Sequence, residues 1–310
     1  MTDQTLTVPP RPDYPREMPS LRAFLASVRT NALLMWPDYA YERDVVESRT
    51  LGRAQMLLNA PEAIHHVLVE NPGNYRRTPA SIRILRPITG RGLLLSEGED
   101  WKHQRRTIAP AMAPRVIPLL ARYMASEAQE AIAVLAAREG QRVNLLAAMQ
   151  SVALDIAGRS MFSLEMREFG PAMRDLLTGY GRNLAQPHLM DMVLPPGIPS
   201  PRDFRRRRFH ARWMALIERI IDTRPATGDV EAPRDLFDLL RDARDPETGA
   251  AFTRPQLRDQ VATMIVAGHE TTAITLFWSL YLLALAPAEQ DRIADEVRGL
   301  DLGPEGAADA

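Results

Sequence analysis

The chain has 310 residues, of which 45% are hydrophobic and 25% are charged, a composition typical of globular proteins that excludes disorder over the whole length. Its 38 basic and 39 acidic residues give a net charge of -1, so no overall charge attracts the chain to nucleic acid or to an anionic membrane. Cysteine is absent, which excludes disulfides, thiolate metal ligands and cysteine nucleophiles among these residues.

The N-terminal sequence predicts one helix and one hairpin. Residues 1–20 are rich in proline and lack the apolar stretch of a signal peptide or membrane anchor, so we expect a cytoplasmic protein. Apolar residues at helical spacing then predict a helix over 21–36. Two short strand-like runs around Leu51, Gly52 and Arg53 predict a hairpin over 44–59.

The remaining sequence is mainly helical. Pro61 begins a short helix, and the prolines and glycines of 76–98 predict a long irregular loop that borders a functional site. Helical periodicity continues at about 99–109, 114–139, 145–161, 169–185, 203–223, 235–244, 254–286 and 287–300. The tail 301–310 consists mainly of glycine, proline, alanine and acids, so we do not expect it to add to the core. We therefore predict a mainly α fold with a small N-terminal β-sheet, and one domain over 1–310 because no linker divides the chain.

The apolar stretch 261–286 is long enough to cross a bilayer, but Glu270 lies near its middle. An acid at that position is costly in lipid, and no basic flank orients the segment. These features favour a buried central helix over a membrane span. His269-Glu270 also opens the helical zinc motif, which needs a second histidine four residues after the first, and position 273 is alanine. The sequence therefore predicts no metal ligands.

The basic run 204–210 is the main argument for a nucleic-acid-binding module. It holds four consecutive arginines between two phenylalanines, and aromatic flanks are typical of nucleic-acid surfaces. Arginines at the start of an amphipathic helix more often form a solvated face, and acidic residues elsewhere balance their charge. We keep this hypothesis as an alternative.

One motif with chemical potential interrupts the long apolar helix, where 267–272 reads Ala-Gly-His-Glu-Thr-Thr. Ala267 and Gly268 allow a flat, bulky group to approach the backbone, and Thr271 can bond a carbonyl one turn earlier. Glu270, which we expect to be buried beside a hydroxyl, suits proton relay. The structural alternative is a helix kink with a satisfied buried carboxylate.

A second motif follows the predicted loop. Trp101 and Arg105 are four residues apart on a helix that begins near Glu99, so they share one face. An indole N–H beside a guanidinium forms a pair of donors suited to a carboxylate or phosphate. A surface tryptophan with a stacked arginine would give the same pattern.

Together, the two motifs resemble signatures of the cytochrome P-450 (haem-thiolate monooxygenase) family. Segment 267–272 is similar to the family's oxygen-binding motif, and Trp-x-x-x-Arg at 101–105 is similar to its haem-propionate motif. Their order and separation also match, and the early hairpin and the helical run match the family along nearly the whole chain. The resemblance implies a cytochrome P-450 fold.

The resemblance also implies roles for single residues. Trp101 and Arg105 would bind a propionate of haem b (iron protoporphyrin IX). Ala267 and Gly268 would line the distal haem face, and Glu270 with Thr271 would deliver protons to the oxygen under activation. A complete enzyme of this kind would insert one oxygen atom from O2 into a small hydrophobic substrate, with electrons from NAD(P)H through a ferredoxin or flavodoxin-type partner.

The sequence departs from the family at its C-terminal end. In the family, a Glu-x-x-Arg pair on a later structural helix and a haem-ligating cysteine beyond it follow the part that this chain resembles, and the chain ends before either. A thiolate supplies the electron density that favours oxygen cleavage. We therefore expect the N-terminal two-thirds of a P-450, C-terminally truncated and inactive alone. A non-catalytic remnant without haem is the alternative.

Overall fold

The computed structural model describes residues 9–50, 53–163, 168–195, 197–224 and 233–309. Its α-helices are α1 (Leu21–Thr30), α2 (Pro61–His65), α3 (Pro79–Thr89), α4 (Gly98–Ile108), α5 (Ile117–Ala136), α6 (Leu145–Phe162), α7 (Gly170–Asn183), α8 (Leu189–Val193), α9 (Pro201–Asp222), α10 (Leu236–Asp242), α11 (Arg254–Ala284), α12 (Pro287–Glu296) and α13 (Pro304–Asp309). The strands are β1 (Val45–Thr50) and β2 (Arg53–Leu58). The predicted mainly α fold with a small N-terminal sheet is confirmed.

The two strands form an antiparallel sheet in which Val45 lies opposite Leu58 and Thr50 lies opposite Arg53. This pairing confirms the predicted hairpin. Of the three residues predicted to lie between the strands, Leu51 and Gly52 lie outside the described residues, and Arg53 is instead the first residue of β2, opposite Thr50.

The first helix is shorter than the sequence predicts. Helix α1 ends at Thr30, and Asn31 then leaves the helical conformation. The Asn31 side chain accepts a hydrogen bond from the backbone N–H of Leu33 at 3.1 Å and begins a separate 3₁₀ turn, Ala32–Met35. Asparagine competes for backbone donors in this way, so the apolar periodicity continues across a break in the helix.

The prediction of an irregular loop over 76–98 is wrong in its first half, where α3 forms. The Thr78 hydroxyl accepts a hydrogen bond from the Ser81 N–H at 3.2 Å, and Pro79 occupies the first turn, where its missing N–H costs nothing. Pro87 lies near the end of α3. The carbonyl of Pro87 is hydrogen-bonded to His210 at 2.9 Å, so the irregular end of the helix is supported from α9.

The later predicted helices all form, each within a few residues of its expected ends. Two short helices were not predicted. Helix α8 is capped by His188 and Asp191: the His188 N–H donates to the Asp191 carboxylate at 3.1 Å, and the Met190 N–H donates to His188 Nδ1 at 3.3 Å. Helix α13 forms in the predicted tail, after the Asp301 carboxylate accepts from the Gly303 N–H at 2.8 Å. Both are set by local capping, which leaves little periodic signal.

The described residues form two compact units. The larger contains Arg86–Thr178 and Arg208–Ala310, and the smaller contains Pro9–Leu85 and Gly179–Arg207. The core of the larger unit includes fully buried side chains on four helices, namely Leu154, Phe162, Trp213, Ile217, Leu240, Val261 and Ile265. The assignment of all 310 residues to one domain stays a prediction.

The hydropathy of the helices can be compared with the prediction that 261–286 is a buried helix and not a membrane span. Within the described part of the chain, no single helix combines the length and the apolar character that a bilayer span requires. Helices α11 and α12 have the required length and apolar character only when they are taken together, and the chain bends by 112° between them.

Candidate functional site

Helix α4 carries the predicted Trp-x-x-x-Arg motif, and its charges match the helix dipole. Glu99 and Asp100 lie in the first turn, and Arg105 and Arg106 lie in the last. Acids near the N-terminus and bases near the C-terminus both stabilise a helix. Gly98 precedes them with a φ of +59°, a left-handed conformation that favours glycine.

Most side chains on the inner faces of α4 have partners within the larger unit. Gln104, Thr107 and Ile108 are buried. His103 and Arg106 both bind Asp245, whose side chain is fully buried. Arg106 donates through Nε and Nη2, each at 3.1 Å, and the His103 Nδ1 lies 2.7 Å from the same carboxylate. These contacts fix the rotation of α4 about its own axis.

The hydrogen bonds to Asp245 also set its ionisation. Those from Arg106 and His103 lower the pKa of the Asp245 carboxyl well below its usual range, because they favour the charged form. The backbone N–H of Glu247 adds a further donor at 3.0 Å. Asp245 is therefore a charged residue that holds α4 in place, and the Arg106 side chain is engaged in binding it.

Trp101 and Arg105 differ from these neighbours. Both side chains are exposed, Trp101 to 41% of its surface. Within the described part of the chain, neither side chain has a hydrogen bond, and Arg105 has no ion pair. The structure therefore presents the two predicted propionate ligands on one open face of α4. Arg105, unlike Arg106, is a free cation in this part of the protein.

Helix α11 carries the second motif. Thr253 and Gln256 form a capping box at its start, and Pro255 lies in its first turn. The first half is buried, as shown by Val261 at 0% exposure and Ile265 at 1%. The second half is exposed, with solvent-accessible apolar side chains at Ile274, Trp278, Leu280, Leu282 and Leu285. The predicted central helix is thus buried over only part of its length.

The predicted motif lies where α11 passes from buried to exposed. Ala267 and Gly268 are exposed, and a Cβ added to Gly268 would meet no atom within 4 Å. The Thr271 hydroxyl donates to the Ala267 carbonyl at 2.5 Å, which confirms the predicted bond to the preceding turn. The backbone face at Ala267 and Gly268 is therefore open to a flat group.

Glu270 corrects one expectation, because its side chain is exposed instead of buried. The buried residue of the motif is His269, whose Nε2 lies 3.1 Å from the Gln150 carbonyl on α6. Burial lowers the pKa of His269, because the neutral ring is easier to desolvate than the cation. His269 and Ala273 are one helical turn apart and both are buried, so this face packs inward and turns Glu270 outward.

The two motifs are linked through residues that the sequence analysis did not identify. Among the described residues, no hydrogen bond or ion pair joins Trp101 or Arg105 directly to 267–271. A buried hydrogen bond instead joins Gln104 of α4 to Gln260 of α11 at 2.7 Å. Sequence alone offered one weak signal for this pair, a polar residue at a position where the helical period predicts burial.

The basic run is only partly available for nucleic acid. Arg206 is 1% exposed and its Nη1 lies 2.6 Å from the Asp191 carboxylate, with a second bond at 3.0 Å. It also donates to the Leu184 carbonyl. Arg205, Arg207 and Arg208 are exposed. One of the four arginines is therefore a buried structural anchor, which weakens the nucleic-acid hypothesis.

Metal binding by protein side chains alone has no support in the described residues. Among them, no group of three or more histidine or acidic side chains is arranged to hold a metal ion.

The comparison with known proteins identifies the family. A family model described as Cytochrome P450 matches residues 37–300. The chain belongs to the cytochrome P450 family. The crystal structure of the cytochrome P450DA heme domain is similar to it with a TM-score of 0.67 and 24% identity, over 84% of this chain and 57% of that one. This structural likeness supports the fold.

Two curated relatives show how much of a P450 is represented. Cyclooctat-9-en-7-ol 5-monooxygenase of Streptomyces melanosporofaciens is 30% identical over 261 residues, which is 82% of this chain and 54% of the relative. Cytochrome P450 97B2, chloroplastic, of Glycine max is 30% identical over 287 residues, which is 84% of this chain and 49% of the relative. The chain spans about half the length of the curated relatives it matches.

Proposed function

We propose that this chain forms the haem-distal part of a monooxygenase that inserts one oxygen atom from O2 into an apolar organic substrate. The observation that carries the proposal is the contrast along α4. His103, Gln104 and Arg106 are held by partners inside the larger unit. Trp101 and Arg105, which lie on another face of α4, are exposed and have no hydrogen bond or ion pair among the described residues. The pair therefore adds no hydrogen bond or ion pair to the stability of the described fold. Two neighbouring donors that are free in this way are suited to bind an anionic ligand.

The residues of both motifs fit haem. Trp101 and Arg105 are donors for a propionate carboxylate, and the open backbone at Ala267 and Gly268 accepts a flat ring. Haem, when bound, supplies the iron that activates O2. The chain has no cysteine, so a thiolate ligand would have to come from polypeptide outside these 310 residues.

The polar residues of α11 would manage protons at this site. The Thr271 hydroxyl donates its hydrogen to the Ala267 carbonyl, which leaves the hydroxyl oxygen free to accept a hydrogen bond, for example from a water molecule. Glu270 is the adjacent residue and is exposed, so it can exchange protons with solvent. In the proposed relay, Glu270 would take up a proton from solvent as it releases one along the exposed face of α11. Thr271 would pass a proton on by releasing its own hydroxyl hydrogen from the Ala267 carbonyl as its oxygen receives another.

The remaining parts of the proposal concern partners and setting. A small hydrophobic substrate is supported by the apolar composition of 76–98 and 176–201. Electrons from NAD(P)H through a ferredoxin or flavodoxin-type partner follow from the family. A cytoplasmic location is the last part of the proposal; with no cysteine, these residues need no disulfides and no oxidising compartment.

The second candidate is a non-catalytic remnant that binds no haem. It is favoured by the exposed apolar side chains on the second half of α11, which a stable catalytic domain would cover. Titration of the purified chain with haem, followed by absorbance, separates the two. Saturable binding that depends on Arg105 supports the proposal, whereas absence of saturable binding supports the remnant.

A further inference from the structure

A chain of three hydrogen bonds, of which the central one is buried, joins the two motif-bearing helices at one point. Leu93 donates its backbone N–H to Gln260 Oε1 at 3.0 Å, and Gln260 Nε2 donates to Gln104 Oε1 at 2.7 Å. Gln104 Nε2 then donates to the Arg91 carbonyl at 3.1 Å. Gln260 is 0% exposed and Gln104 is 5% exposed, so the bond between the two amide side chains is shielded from water.

The direction of these bonds is fixed by the backbone groups at the two ends. An N–H at Leu93 can only donate, and a carbonyl at Arg91 can only accept. Each amide side chain must therefore turn its oxygen toward the Leu93 side and its nitrogen toward the Arg91 side. Reversal of either amide would leave two acceptors or two donors facing each other in a buried place, which is costly.

The loop between α3 and α4, which contains Gly90, Arg91 and Gly92, also packs closely against α11. Arg91 donates its backbone N–H to the Asp259 carboxylate at 2.8 Å. Gly90 has a φ of +61°, and a Cβ there would overlap the Asp259 carboxylate. A Cβ at Gly92 would overlap Thr263 Oγ1 and lie 2.7 Å from the Asp259 carbonyl oxygen. Only glycine allows the loop backbone to approach α11 so closely, and this close approach fixes the position of the loop along α11.

We propose that Gln104 and Gln260 are positioning residues that set the face bearing Trp101 and Arg105 relative to the motif at 267–271. Gln104 is next to Arg105 and one turn from Trp101, and Gln260 lies two turns before Ala267. The pair is therefore close in sequence to both motifs while touching neither of the groups that would meet a ligand. The role in haem binding rests on the proposed function, whereas the helix geometry can be tested without haem.

The test uses Gln260→Glu, because protonation changes its hydrogen bonding. A neutral carboxylic acid reproduces the amide, with a hydroxyl that donates to Gln104 and a carbonyl that accepts from Leu93. A carboxylate cannot donate, and burial raises the pKa of such a group. The folded variant thus binds its proton more tightly than the unfolded chain, so its bonding is complete at low pH and is lost as pH rises through the raised pKa.

Other charged groups near the bonded amides are already engaged or exposed. Asp259 pairs with Arg258 on α11, and His103 and Arg106 on α4 bind Asp245. Arg91 and Arg105 are exposed. Gln256→Glu is the matched control, because it makes the same change one turn earlier on α11, at a capping position where glutamate serves equally well.

The measurement is the distance between the two helices. The chain has no cysteine, so Lys102→Cys and Ser279→Cys give two unique, exposed sites for spin labels on α4 and α11. Ser279 lies about 28 Å along α11 from Gln260, which amplifies any change in tilt. Double electron–electron resonance then gives the distribution of distances between the two spin labels in the full 310-residue chain, over a series from about pH 5 to about pH 9.

We expect one narrow distribution for the parent chain and for Gln256→Glu at every pH. Gln260→Glu should match them at low pH and broaden or shift at high pH, and Gln260→Leu should be altered throughout. An unaltered distribution for Gln260→Leu or for ionised Gln260→Glu would overturn the proposal. If Gln260→Leu does not fold, the two pH limits of Gln260→Glu decide, and failure of Gln260→Glu to fold even at low pH also overturns it.

Haem titration of the same variants separates positioning from the proposed function. Loss of a group that orients a ligand from behind typically weakens binding by roughly 10- to 100-fold, and we expect that range for Gln260→Leu, with no change for Gln256→Glu. Parental affinity in Gln260→Leu would refute a role in ligand binding. If the parent chain itself binds no haem, the proposed function fails, while the distance measurement still decides whether the glutamines set the helix geometry.

Discussion

The contrast between Arg105 and Arg106 leads to the most direct prediction. The two arginines are adjacent on α4, so Arg105→Ala and Arg106→Ala remove the same charge from nearly the same place. Arg105 is exposed and has no ion pair within the described residues, whereas Arg106 holds the buried Asp245 carboxylate through two hydrogen bonds. We expect Arg105→Ala to weaken haem binding and leave folding unchanged, and Arg106→Ala to do the reverse.

The size of the effect on binding follows from the type of contact. A charge-assisted hydrogen bond to a carboxylate contributes about 1.5–3 kcal/mol, which corresponds to a loss of roughly 10- to 150-fold in affinity. Arg105 is exposed before binding, so the lower half of that range is the expectation. Arg106→Ala should instead lower the thermal midpoint, because Asp245 would stay buried without its bidentate partner.

Two measurements on the purified chain test this reasoning. Haem affinity is measured by titration in the Soret region, and folding is measured by circular dichroism during heating. The reasoning is refuted if both variants lose the same affinity, or if Arg105→Ala binds haem like the parent chain. A fall in thermal midpoint for Arg105→Ala equal to that for Arg106→Ala would show that Arg105 has a structural partner.

Four further predictions follow from other parts of the structure. Thr271→Ala, in the chain joined to a C-terminal P450 segment with its cysteine, should keep haem but consume NAD(P)H with less product and more peroxide, while Thr272→Ala should not; equal yields per NAD(P)H would contradict this. Gly92→Ala should cost about 1–3 kcal/mol of unfolding free energy because it overlaps α11, whereas Gly181→Ala, with open space around it in α7, should add up to about 1 kcal/mol; urea denaturation measures both. Burial opposes ionisation of Asp238, but hydrogen bonds from Arg234 outweigh it and lower the Asp238 pKa to about 2, so its contribution to stability is complete above about pH 4 and is lost as pH falls toward 2; acid unfolding of Asp238→Asn should show a shallower slope in that window. Finally, the 310-residue chain alone, reduced and treated with carbon monoxide, should lack the red-shifted Soret band of a thiolate complex, and a monodisperse monomer with that band would contradict the expectation.

The sequence by itself determined the class of fold and the location of both motifs. Helical spacing of apolar residues is a local signal, so the helices at 145–161 and 254–286 were found within a few residues of α6 and α11. Trp101 and Arg105 share an exposed face because four residues make about one helical turn. The bond from Thr271 to the Ala267 carbonyl was predictable for the same reason, since both residues lie in one helix.

Only the tertiary structure decided which polar residues are buried. Glu270 and His269 are neighbours, and the contact between His269 and Gln150 on another helix determines that the histidine faces inward. Helix α3 ends in carbonyls that α9 supports, so its extent depends on residues far along the chain. The Gln104–Gln260 bond joins positions 156 residues apart. Such pairings depend on packing between residues that are far apart in sequence. Whether a polar residue is buried is decided by the helix that packs against it, and the periodicity of its own helix does not show which helix that is.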